Sequence, residues 1–295
     1  MQQPELFTLN SGRQVAVHRL AEGEEGRTVV FCHAAPGAGN FDPDPDETAA
    51  RRVTLIAVDR PGYGASDPVA ANKWATVALA ADDLAEVLQE MQLGPVGVAG
   101  WSAGGRVALA LAARRPDLVD RVVVLSTPAP DEFVPWIPAE EKQWLDAMRD
   151  LPPDEVHGQL AVQLEQMLLQ DSSLIARLSL LGKSPADEEA LAMPGAADRL
   201  AEMLDAAFAQ GAIGLATDIA GYTLRPWEFE PAQVQAKTLC LYGAADPIAG
   251  SRHGTWWQKN LPDARLEMVP DAGHLVVIPL WKRVLSHLAP GGRSS

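Results

Sequence analysis

The chain has 295 residues, 47% of them apolar and 21% charged, which suits a globular protein of one large domain or two modest ones. A formal net charge of −15 repels phosphate backbones and anionic membrane surfaces, so neither nucleic acid nor a membrane is an expected partner. The two cysteines, Cys32 and Cys240, lie in separate apolar runs and make no disulfide framework, which predicts buried thiols in a reducing compartment.

The first five residues show neither a basic start nor an apolar core, and no apolar run reaches the ~20 residues needed to span a bilayer. The expectation is a cytoplasmic protein. Residues 6–9 and 14–19 alternate apolar and polar positions around Asn10-Ser11-Gly12, which predicts a β-hairpin. Nearly uninterrupted apolar runs follow at 28–32, 53–58, 95–99, 121–125 and 238–242, with a shorter mixed run at 266–269. Such runs fit strands covered on both faces, as in a parallel sheet flanked by helices. Helical runs at 77–91, 103–115, 255–261 and 276–288 separate them. Alternating strand and helix predicts an α/β, mostly parallel, doubly wound sheet with an antiparallel hairpin at its N-terminus.

Between residues 127 and 235 the pattern changes to helical periodicity without a convincing strand. Helices are predicted after Pro138, over 154–170, after the Ser184-Pro185 start signal, and over 196–210. This divides the chain into a core of residues 1–128 and 236–295 and a helical cap, or lid, of residues 129–235. The Gly- and Ser-rich stretch 290–295 predicts a mobile tail.

Gly100-Trp101-Ser102-Ala103-Gly104 joins an apolar strand to an alanine-rich helix. Glycines two residues before and after a serine let neighbouring backbone approach closely and leave the hydroxyl exposed on a sharp turn. Ser102 is therefore the candidate nucleophile, with a helix-capping serine as the plain alternative. A serine hydroxyl is weak and needs a base. Of the six histidines, His274 stands in Asp271-Ala272-Gly273-His274, just beyond the last strand, where ligands bind in open α/β sheets. His18 lies in the hairpin, His287 near a helix end, and His157 and His253 are expected on helical or loop surface. Cys32 and His33 are strand neighbours that point to opposite faces, which argues against a Cys-His pair.

The base needs an acid to orient it. Asp246, in Tyr242-Gly243-Ala244-Ala245-Asp246-Pro247, also follows a core strand, and Asp131 is the rival beyond the strand ending near Ser126. Acyl transfer further requires donors for an oxyanion. The amide of Ala103 is one, and the small-residue loop 33–39 offers Ala35 first and Ala34 second. The same loop lacks the phosphate-cradle patterns, and no metal-ligand spacing occurs anywhere, so no cofactor and no metal are expected.

These blocks resemble the α/β-hydrolase superfamily. His33-Ala34-Ala35-Pro36-Gly37 is similar to its oxyanion loop, with Ala34 where glycine is usual. Asp59-Arg60-Pro61-Gly62-Tyr63-Gly64-Ala65-Ser66-Asp67 resembles its Asp-x-Pro-Gly-x-Gly-x-Ser signature, a structural loop. The order Ser102, Asp246, His274 matches its triad. The resemblance implies Ser102 as nucleophile, His274 as base, Asp246 as acid, and Ala35 and Ala103 as oxyanion donors. Serine at 102 excludes the branches that use aspartate there. The helical insert resembles the cap of esterases, peptidases and meta-cleavage C–C hydrolases. Its Trp136, Trp144, Met148, Phe208 and Trp227 suit cap core or an apolar pocket, and Trp101 is expected to touch that pocket. The implied function is a cofactor-independent serine hydrolase of a small, fairly apolar ester, working through an acyl-enzyme. The alternatives are C–C bond or perhydrolase chemistry on the same triad, and a non-catalytic binding or receptor protein. A small-molecule substrate is the one partner implied; monomer and homodimer both remain open.

Overall fold

A computed structural model of the protein describes residues 3–23 and 26–291. Residues 292–295 of the expected mobile tail, and residues 1–2, lie outside the described residues. Among the described residues nine strands occur: β1 Glu5–Thr8, β2 Gln14–Ala21, β3 Thr28–Cys32, β4 Thr54–Val58, β5 Val96–Trp101, β6 Val119–Leu125, β7 Ala209–Ala212, β8 Lys237–Gly243 and β9 Ala264–Val269. All but β7 form one sheet in the order β1-β2-β4-β3-β5-β6-β8-β9. The hairpin β1–β2 and the β2–β4 pair are antiparallel, and the rest of the sheet is parallel.

Side chains alternate across the strands, and this divides the core into two layers. Val29, Phe31, Leu55, Ala57, Ala99, Trp101, Val123, Leu125 and Leu241 face one layer. Val30, Ile56, Val98, Val122, Val124 and Cys240 face the other. The second layer is closed by helices α2 (Val77–Glu90), α3 (Ala103–Arg114) and α10 (Ser251–Asn260); α11 (Trp281–Leu288) packs into the first, and α1 (Pro45–Ala50) meets α11 where Trp281 Nε1 donates to the Thr48 hydroxyl. Each fully buried Val, Leu or Phe contributes roughly 1.5–3 kcal/mol through removal of apolar surface from water.

Six helices lie between β6 and β8: α4 Ala139–Ala147, α5 Pro153–Gln170, α6 Leu174–Leu180, α7 Glu188–Leu191, α8 Ala196–Ala207 and α9 Ile213–Leu224. Ser184 opens a 3₁₀ turn, Pro185–Asp187, through a capping box with Asp187. Two departures from the sequence reading have clear causes. Helix α9 has no polar stripe, because Leu215, Ala216, Thr217, Asp218, Ala220 and Tyr222 are all buried; a helix covered all round carries no amphipathic period. The helix predicted over 276–288 starts only at Trp281. Pro279 has no N–H to donate, and Leu275, Val276, Val277 and Ile278 instead plug the core as consecutive turns.

Candidate active site

Strand β5 ends at Trp101, and α3 begins at Ala103. Ser102 between them has φ 54° and ψ −119°, a conformation that costs a non-glycine residue about 1–3 kcal/mol. The surroundings enforce it. A Cβ on Gly100 would lie 2.5 Å from the Gly104 carbonyl oxygen, and one on Gly104 would lie 2.1 Å from the Cys32 carbonyl oxygen. The Ser102 side chain makes no capping hydrogen bond, so helix capping does not explain it. Its hydroxyl is left at the positive end of α3.

Asp246 stands after β8 and His274 after β9, both at the same sheet rim as the elbow. His274 Nδ1 lies 2.9 Å from Asp246 Oδ2, with both side chains fully buried. The other carboxylate oxygen accepts from the amides of Ile248 (2.8 Å) and Ala249 (3.0 Å). Burial pushes the Asp246 pKa up, but the His274 charge, the His274 hydrogen bond and the Ala249 amide outweigh it and hold the carboxyl at about 2. An ionised Asp246 makes Nδ1 the protonated nitrogen and leaves a lone pair on Nε2. Nε2 is buried and has no hydrogen-bond partner among the described residues. No hydrogen bond joins it to the Ser102 hydroxyl, a bond that commonly tightens only once substrate is bound.

The base is held from several sides. Trp101 Nε1 donates to the His274 carbonyl at 2.9 Å, and the two rings lie 6.2 Å apart. Gly182 backs onto the imidazole, since a Cβ there would meet His274 Cδ2 at 3.1 Å. Asp187, which the sequence reading did not single out, accepts from the amides of His274 (3.2 Å) and Leu275 (2.8 Å) and from both donors of Ser184. Its carboxylate also fills the space that a Gly273 side chain would need, 2.3 Å from that Cβ position. The signal in the sequence is Ser184-Pro185-Ala186-Asp187, which reads only as a helix start.

Ala35 and Ala103 line one cavity with Ser102. The Ala103 amide is the first of α3 and has no intrahelical acceptor. Ala34 is fully buried, and its carbonyl accepts from Arg60 Nη2 and from His33 Nδ1, each at 2.8 Å. Its φ is not positive, so alanine fits where glycine is usual. Arg60 also donates to the His33 carbonyl and is anchored by Asp218 at 2.6 Å, with the Tyr63 hydroxyl on the same carboxylate at 3.0 Å. The 59–67 loop thereby clamps the loop that carries Ala35.

The cavity measures about 650 Å³ and is walled chiefly by Leu145, Leu160, Leu164, Leu181, Leu215 and Ile219 from the helical segment. Trp136 and Trp144 line it too, whereas Met148 is buried in the core, Phe208 packs against that core, and Trp227 stacks on Trp257 and Phe229. Trp101 does not touch it. The strand turns its side chain to the opposite face from α3, against Phe41. Asp131 is not near His274: it accepts from the Trp136 and Ile137 amides and pairs with Lys142 at 3.2 Å.

His157 and His253, expected at the surface, are buried. His253 Nδ1 accepts from the Ala129 amide at 3.0 Å. Burial, followed by the nearby charges of Arg252 and Arg106, lowers its pKa to about 4. His33 accepts at Nε2 from the Arg60 amide and is kept neutral by burial and by Arg60. Burial pushes the Cys32 thiol up to about 12, which leaves it without nucleophilic character. Among the described residues no group of three or more His, Cys, Asp or Glu side chains is placed to hold a metal, and no helix is long and apolar enough to cross a membrane.

Residues 27–279 match the family described as the alpha/beta hydrolase fold. The chain is 28% identical over 253 residues to a pimeloyl-[acyl-carrier protein] methyl ester esterase of Chromobacterium violaceum, covering 85% of this chain and 88% of that protein. It is 26% identical over 277 residues to a 2-hydroxy-6-oxononadienedioate/2-hydroxy-6-oxononatrienedioate hydrolase of Burkholderia vietnamiensis, covering 90% and 87%. In fold it is similar to a hydrolase from Pseudomonas aeruginosa, with a TM-score of 0.68, 21% identity and coverage of 96% and 97%. A match over most of its length, on a mostly parallel sheet with an antiparallel hairpin at one edge, makes this chain a member of the α/β-hydrolase family.

Proposed function

We propose that the protein is a cofactor-independent serine hydrolase of a small, fairly apolar ester, with Ser102 as nucleophile, His274 as base and Asp246 as orienting acid. The observation that carries this is the buried Asp246–His274 pair beside the strained Ser102 elbow, at the foot of an apolar cavity. His274 Nε2 takes the Ser102 proton as Oγ adds to the ester carbonyl. The tetrahedral oxyanion is met by the Ala35 and Ala103 amides; each such donor is worth about 10²–10³ in rate. Collapse breaks the C–O bond, and His274 returns the proton to the departing alcohol. Water then adds to the acyl-enzyme with His274 again as base, which frees the acid and restores Ser102. In this proposal residues 129–235 act as the lid, and a small molecule is the only partner. The two free, buried cysteines support a cytoplasmic location.

A fluorophosphonate probe should label the protein once per chain, and Ser102→Ala should abolish labelling and ester turnover together. Folded wild-type protein that neither reacts with the probe nor cleaves any ester in a graded acyl series would overturn the proposal in favour of a binding role. C–C bond hydrolysis is the second reading, supported by the likeness to the Burkholderia vietnamiensis hydrolase over 90% of the chain. Faster cleavage of a vinylogous diketone than of every ester would reverse the order.

A further inference from the structure

Among the described residues two arginines, Arg60 and Arg106, are buried, and the chain treats them differently. Arg60 is fully engaged: Nε and Nη2 donate to Asp218, Nη2 also donates to the Ala34 carbonyl, and Nη1 donates to the His33 carbonyl. Arg106 is only 5% exposed, yet its one hydrogen bond among the described residues is a long 3.4 Å contact from Nε to the Pro128 carbonyl. No carboxylate of the described residues lies within ion-pair distance of it. Asp218 shares its cavity, but the carboxylate there is already taken by Arg60 and Tyr63.

The guanidinium of Arg106 is stacked, not neutralised. Its central carbon lies 4.6 Å from the Trp227 ring centre and 5.6 Å from that of Trp136. Cation–π contact steadies the plane, and among the described residues Nη1 and Nη2 have no acceptor. Burial lowers the pKa of Arg106 to about 10, so the group remains charged at neutral pH. A buried, unpaired cation is costly, and a cation of this kind is normally paired, hydrogen-bonded or met by a ligand.

Arg106 also lines the Ser102 cavity. It follows Ser102 by one helical turn of α3, about 6 Å along the axis. We infer that Arg106 is the anion-recognising group of this cavity, so that the substrate is an otherwise apolar ester carrying a free carboxylate about one helical turn away from the reacting carbonyl. The inference rests on the ester-hydrolase reading for the reaction, but the assignment of the anion site does not depend on turnover. A planar fork of N–H donors suits a carboxylate, which can accept two parallel hydrogen bonds. The surrounding leucines suit the methylene chain between the two ends.

The test compares monomethyl adipate, which keeps one carboxylate, with dimethyl adipate and methyl hexanoate. Wild-type kcat/KM should favour the half-ester by about tenfold or more, and Arg106→Gln should erase that ratio whatever it does to the neutral esters. Arg106→Lys, which keeps the charge without the fork, should recover part of it. A separate arm uses calorimetry on Ser102→Ala protein, where the half-ester should bind about tenfold more tightly than the diester. Equal handling of charged and neutral esters by the wild type, equal binding in the calorimetric arm, or a ratio untouched by Arg106→Gln overturns the assignment. If no ester is cleaved and no probe attaches, but the half-ester still binds preferentially, the hydrolase reading falls and the anion site stands. If probe labelling and ester turnover proceed without a carboxylate preference, the reverse holds. Should Arg106→Gln fail to fold, the wild-type ratio and the calorimetric arm decide the question.

Discussion

Trp101 Nε1 donates to the main-chain carbonyl of His274 across 2.9 Å, so the residue before the proposed nucleophile holds the proposed base from the side away from the cavity. Trp101 is fully buried against Phe41 and His274. Its indole therefore couples the end of β5 to the loop after β9.

Trp101→Phe keeps an aromatic ring and removes the donor. The His274 carbonyl is then buried without its partner, a loss of about 1–3 kcal/mol. Thermal unfolding should register this, and kcat should fall while fluorophosphonate labelling of Ser102 becomes slower. A variant with wild-type kcat would show that the bond does not position the base.

Asp187 predicts a separable effect. Asp187→Ala removes the acceptor shared by the His274, Leu275 and Ser184 amides, and leaves buried donors unsatisfied at about 1–3 kcal/mol each. Amide hydrogen exchange at His274 and Leu275 should accelerate, and kcat should drop more than KM rises. Asp187→Asn keeps one oxygen acceptor and should recover part of the rate. Unchanged exchange at these two amides would exclude a positioning role.

His253 predicts a stability change with pH. Its folded-state pKa is lowered to about 4, against about 6.5 for an ordinary histidine. Between those values the unfolded chain binds the proton and the folded chain does not, so stability rises with pH. The contribution is present above about 6.5 and is lost as pH falls toward 4. Protonation also costs the Ala129 amide its acceptor. The pH slope of the unfolding free energy from 6.5 to 4 should be shallower in His253→Gln than in the wild type, and an identical slope would contradict the assignment.

Much of the fold is legible locally. The nearly uninterrupted apolar runs of residues 28–32 and 121–125 place each strand, and proline at 279 was a readable stop that the apolar run 275–278 masked. Helix α9 is not legible by the same logic, because burial on every side erases its period. At the site, the glycines around Ser102 can be read because their constraint is exclusion of a Cβ by backbone nearby in the fold. The sidedness of Trp101 follows from strand alternation, but only once the cavity is known to lie on the α3 side.

The amino-acid order alone determined the strand and helix rhythm, the serine elbow and the sequence of candidate Ser102, Asp246 and His274. These depend on backbone periodicity, steric exclusion and short motifs that act over a few residues. Tertiary structure alone decided that Asp246 and not Asp131 meets His274, that Asp187 grips the His274 loop from 87 positions away, and that Arg106 is buried without a counter-ion while Arg60 has one. The physical reason is that hydrogen bonds and desolvation act through space. No local pattern records which distant groups share a buried volume, and that sharing is what sets the partner of each charge and the state of each proton.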